Sequence, residues 1–154
     1  PRARALLTEG RERLEEASAG GMAEHPSLIR NLGSLEVDSA LMFAGQEEAS
    51  VTAALADRGL ARFEAAARRD PLLVMQRRDW GYQLAAYGRA ARAIVDAAPA
   101  DARALVCDQL TRRLEASIAE FRAQPMLDLG KPDSESLAAA AEALLRELRG
   151  REGR

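Results

Sequence analysis

The chain has 154 residues, 47% of them apolar, 30% charged and only 4% aromatic, with a formal net charge of -2. That length suits one domain, and 22 basic against 24 acidic side chains argue against a nucleic-acid-binding domain, which carries a basic excess on one face. A single cysteine, Cys107, excludes an internal disulfide framework and fits a reducing compartment, while a single histidine, His25, removes most zinc, haem and di-iron schemes.

Alanine, leucine, arginine and glutamate dominate, and no stretch alternates apolar and polar residues over a strand's length, so the expected class is all-α. A first helix is expected from about Ala3 to Ser18, with Leu6, Leu7 and Leu14 as its only large apolar residues. The Gly-rich stretch from Ala19 to Pro26, which includes Met22, reads as a connector. Ser27 then reads as the N-cap of a long helix reaching about Arg69. Leu28, Leu35, Met42, Ala49, Ala56 and Phe63 recur every seven residues along it, a coiled-coil-like seam. Such a helix is roughly 60 Å long at ~1.5 Å per residue. Gly33, Gly45 and Gly59 lie inside it. Each costs up to about 1 kcal/mol relative to alanine, and a break is expected at Gly45, where the seam weakens.

Asp70 as cap and Pro71 at the first helical position are expected to open the third helix. Leu73, Trp80, Tyr87 and Ile94 again repeat every seven, flanked by Leu84, Ala91 and Ala98. Pro99 interrupts, and a fourth helix to about Gln124 carries Cys107, Leu110, Leu114, Ile118 and Phe121 at three- and four-residue spacing. A second connector follows to Pro132 and holds Lys131, the only lysine. Asp133 or Ser134 then caps a last amphipathic helix with Leu137, Ala141, Leu144, Leu145 and Leu148. The expected architecture is an elongated bundle of three long antiparallel helices with coiled-coil-like seams and shorter N- and C-terminal helices. It divides into an N-terminal helix and connector (1–26), a bundle domain (27–124), and a connector with a C-terminal helix (125–154).

No catalytic, cofactor-binding or metal-binding set emerges from the residues. Glu15-Glu16 and Glu47-Glu48 are adjacent acids that diverge by about 100° on a helix, so they cannot converge on one reacting atom. Glu64 with Arg68, Asp108 with Arg112 and Glu142 with Arg146 have the favoured order for exposed ion pairs and read as solvated faces. The doublets Arg68-Arg69, Arg77-Arg78 and Arg112-Arg113 read as side chains flanking an apolar seam and covering it with their stems rather than as a phosphate patch. Cys107 reads as a small buried apolar residue. Trp80 and Tyr87 fall on the apolar stripe, as core or as an interface with one wet side, and Tyr82 points elsewhere. No apolar run approaches the roughly 18–20 residues needed to span a bilayer. The opening Pro1-Arg2-Ala3-Arg4 leads through Leu6 and Leu7 to Glu9 without a signal-peptide segment, so a cytoplasmic protein is expected, and the lack of a catalytic set leads to the expectation that it is not an enzyme.

The block from Leu35 to about Gln124 resembles the phasin family, helical proteins that coat polyhydroxyalkanoate storage granules in bacteria. A long helix ends in Ala66-Ala67-Arg68-Arg69-Asp70-Pro71, similar to the family's polar break. The apolar run Leu72-Leu73-Val74-Met75 then meets Gln76, Trp80 and Tyr87, which resembles the family's glutamine, aromatic and tyrosine spacing, and Ala90-Ala91-Arg92 follows. The segment between Pro71 and Gln76 is shorter than the family pattern, and the helices before Leu28 and after Lys131 lie outside the match. The resemblance implies a non-enzymatic protein without cofactors that self-associates and lays amphipathic helices on a hydrophobic polyester surface. The apolar-surface or interface candidates are Leu28, Leu35, Met42, Phe63, Leu73, Trp80, Leu84, Tyr87, Ile94, Leu144 and Leu148. The alternative is a helical adaptor, export chaperone or accessory subunit that binds a protein partner, with the last helix, freed by its connector, as the contact.

Overall fold

Alanine-rich segments broken by proline and glycine give six α-helices in the computed structural model, which describes residues 2–17, 19–20, 25–125, 130 and 132–151. Ser18, residues 21–24 of the first expected connector, and residues 126–129 and Lys131 of the second lie outside the described residues. The helices are α1 (Arg2–Ala17), α2 (Pro26–Phe43), α3 (Ala49–Arg69), α4 (Val74–Ala97), α5 (Ala100–Ala123) and α6 (Ser134–Arg149). No strand occurs among the described residues, so the all-α class is as expected.

The single long helix expected between Ser27 and Arg69 is in fact two helices. Gly45 has φ +78°, in the left-handed region that a side chain disfavours. The Gln46 and Glu47 N–H groups donate to the Phe43 carbonyl at 2.9 and 3.2 Å and close a turn. The break at Gly45 is therefore where expected, but it reverses the chain instead of bending it. α2 and α3 pack antiparallel, with Gly33 against Gly59 and Phe63, and Glu36 against Arg58 and Arg62. The seven-residue seam folds back on itself as an αα-hairpin.

Two helix starts also differ from expectation. α2 begins at Pro26 with His25 as N-cap, so the proline occupies the first turn, where its missing N–H costs nothing, and Ser27 lies inside the helix. Asp70 is the C-cap of α3, its N–H bonded to the Ala66 carbonyl, and Pro71 sits in the turn before Val74. The other signals hold. α4 stops at Ala97 ahead of Pro99, and Asp133 caps α6 by accepting from the Ser136 N–H at 2.8 Å.

The centre of the molecule is α4, which touches α2, α3, α5 and α6. It runs antiparallel to α3 and α5 and parallel to α2 and α6, as the pairs Tyr87–Asp57, Trp80–Ser117, Gln83–Ser34 and Arg92–Glu147 record. Two glycines let α6 approach closely: a Cβ at Gly81 would lie 2.6 Å from Leu137, and one at Gly88 2.8 Å from Leu144. Leu137, Ala138, Ala141, Leu145 and Leu148 join the same buried cluster as Trp80, Leu84 and Phe121. The expectation that a connector frees the last helix for partner contact is thus corrected, because α6 completes the core. α1 is the loose element. None of its described side chains is buried, and it docks chiefly on α2.

Candidate functional site

Of the eleven apolar candidates, Leu28, Phe63, Trp80, Leu84, Tyr87, Ile94 and Leu148 are buried in the folded bundle. Leu35, Leu73 and Leu144 are half-buried, and Met42 is exposed at the end of α2. The seam therefore holds the bundle together and does not form one open face. Tyr82 is exposed and Cys107 is buried, both as expected.

Around the buried aromatics lies a polar network that sequence spacing did not reveal. The Trp80 indole N–H donates to Ser117 Oγ at 3.1 Å, and Ser117 donates to Glu64 at 2.5 Å. Arg113 donates to both oxygens of Glu64 at 2.7 Å, a bidentate fork. Next to it the Tyr87 hydroxyl donates to Asp57 at 2.6 Å, and Gln109 donates to the other Asp57 oxygen at 3.3 Å. Burial first, and then the Asp57 carboxylate, hold the Tyr87 hydroxyl well above its ordinary pKa. Every group in this set is hydrogen-bonded, and Ser117 is closed off between Trp80 and Glu64, so the arrangement orients α3, α4 and α5.

The arginine doublets resolve in the same way. Arg68 forks onto Glu120 at 2.5 and 2.6 Å, Arg113 onto Glu64, and Arg77 is buried. Arg77 donates to the carbonyls of Phe121 and Pro125, both at 2.8 Å, and stacks 4.9 Å above the Phe121 ring. It thus places a cation on the C-terminal carbonyls of α5, where the helix dipole favours one. Burial lowers its pKa from the ordinary arginine value. One member of each doublet ties two segments of the chain together. The reading of the helix-spaced charges as solvated faces is corrected for Glu64, which is buried, as are Glu36 and Arg77.

Exposed large apolar side chains occur along the chain, Leu6, Leu41, Met42, Val51, Tyr82 and Leu105 among them, and one run of them lies at the α3–α4 turn. Pro71, Leu72, Val74 and Met75 are exposed there, Leu72 to 71%. Below them lies a shallow apolar notch lined by Pro26, Ile29, Phe63, Ala66 and Met75. Exposed Arg68 and Arg69 flank the turn. Single exposed leucines such as Leu105 on α5 need no explanation, but four exposed apolar residues within five consecutive positions, across the turn and the start of α4, form an apolar tip. Among the described residues no group of histidine, cysteine and acidic side chains stands ready to hold a metal ion, and no helix is long and apolar enough to cross a membrane. Compared with protein-family models, with curated proteins and with solved structures, the chain matches none.

Proposed function

We propose that this chain is a non-enzymatic, phasin-like protein that attaches to the hydrophobic surface of polyester storage granules and does so as a self-associated coat. The observation that carries the reading is the apolar tip of Leu72, Val74 and Met75 at the α3–α4 turn, inside the block that resembles the family. Because most of the seam is buried, attachment starts from this tip and does not require the bundle to open. Fully burying an aliphatic side chain contributes about 1.5–3 kcal/mol. Three partly exposed ones together give a binding energy comparable to a single lipid anchor, which holds only marginally. Stable coating therefore calls for several tips presented together, which is the role of self-association.

Co-sedimentation with an amorphous polyhydroxybutyrate emulsion tests this directly. The full chain is expected to bind saturably with little change in Trp80 fluorescence, since the indole is already buried. Leu72→Glu combined with Met75→Glu is expected to release it while leaving thermal unfolding unchanged. Absence of binding by the unaltered chain overturns the reading, and full binding by the double variant removes the tip from it.

A further inference from the structure

At the end of α4 away from the apolar tip, roughly 30 Å along the helix at ~1.5 Å per residue, the C-terminal ends of α4 and α6 meet the start of α5. They enclose an open-sided cleft of about 540 Å³ walled by Val95 and Gly150 and by the side chains of Asp96, Arg103, Arg146, Glu147 and Arg151. The two acids are already neutralised. Arg151 forks onto Asp96 at 2.7 and 3.3 Å, and Arg92 holds Glu147 at 2.8 Å. Arg103 and Arg146 remain, and among the described residues neither has a carboxylate within ion-pairing distance. Arg103 Nη2 donates to the Ala98 carbonyl at 3.1 Å, while its Nε is buried without an acceptor.

We propose that this cleft binds a small phosphomonoester. Its dianionic head would offset the two uncompensated charges of Arg103 and Arg146 on the side of the α5 N-terminus, against the adverse C-terminal dipoles of α4 and α6, and guanidinium forks match the geometry of phosphate oxygens. Val95 is itself buried, so recognition rests on the phosphate head and not on the carbon skeleton. The cavity lies within the ordinary range for small-ligand sites, about 300–1,000 Å³. This binding is independent of the granule reading, because no residue of the α3–α4 turn takes part.

Titration of the full chain at low ionic strength with inorganic phosphate and with glycerol 3-phosphate, followed by amide NMR, tests the proposal. Saturable shifts confined to Val95, Gly150 and their neighbours are expected, with the two ligands binding comparably. Arg146→Ala removes an exposed side chain and is expected to weaken both ligands about tenfold. Arg13→Ala, on distant α1, is expected to change neither. Shifts that fail to saturate, that map elsewhere, or that respond equally to the two substitutions overturn the proposal.

Discussion

Gly59 occupies the middle of α3, where alanine would add about 1 kcal/mol of helix propensity. A Cβ there would nevertheless lie 2.7 Å from the Gly33 carbonyl oxygen and 2.8 Å from Val37. The backbone of α2 cannot step aside as a side-chain tip can, so Gly59→Ala is expected to lower stability by roughly 1–3 kcal/mol. Urea denaturation reads this out, and a raised midpoint would mean that the hairpin has slack. Trp80 is fully buried, edge-on to Phe121 at 5.2 Å, and bonded to Ser117. Trp80→Ala is expected to cost about 3–5 kcal/mol, as large-to-small core changes do, and unchanged thermal unfolding would place the indole outside the core. The aromatic stripe was legible because it repeats along one helix face. The buried charges were not. The i,i+4 rule pairs Glu64 with Arg68, and that pair exists at 3.8 Å, yet the closer partner is Arg113 at 2.7 Å, 49 positions away on another helix. No local spacing carries such a contact.

Between elements, ion pairs act as clamps whose strength follows pH. Arg68 holds the Glu120 carboxyl below its ordinary value of 4.5 and links α3 to α5. Arg122 does the same for Glu135, linking α5 to α6, and the Ser136 N–H lowers Asp133 at the α6 cap. A carboxylate with a depressed folded pKa contributes stability that is present above its unfolded pKa and lost as pH falls through the folded one. Asp79 works the other way. Burial raises its pKa against the pull of Arg30 and Arg78, so its contribution is present at low pH and lost as pH rises. Three depressed groups oppose one raised group, so the thermal midpoint is expected to fall between about pH 5 and pH 3 at low salt. Glu120→Gln is expected to flatten that fall, and a midpoint that holds or rises on acidification would overturn the assignment. At this scale the helices themselves were readable, from composition, proline and the Asp133 cap. The reversal at Gly45 was not, because a seven-residue seam records which face is apolar and not whether the chain continues or folds back onto that face.

For the molecule as a whole, the two terminal helices make opposite demands. α1 buries none of its described side chains, whereas α6 places Leu137, Leu145 and Leu148 in the cluster that surrounds α4. At about 1.5–3 kcal/mol for each fully buried leucine, these three side chains are worth as much as a small domain's entire net stability of roughly 5–15 kcal/mol at its lower end. Their removal would also bare Gly81 and Gly88, which have no side chains of their own to cover α4. Cys107, whose thiol lies 3.5 Å from the Leu148 carbonyl, would lose its cover as well. A fragment ending at Pro125 is therefore expected to lose cooperative unfolding and near-ultraviolet circular dichroism, and its Cys107 is expected to react rapidly with a thiol reagent. A fragment beginning at His25 is expected to keep a sharp transition within a few degrees of the full chain. Cys107 is slow to react in that fragment if α6 and α4 still close over it. A cooperative transition in the fragment that lacks α6 would mean that α2 to α5 fold as a unit and that α6 is added to a finished core.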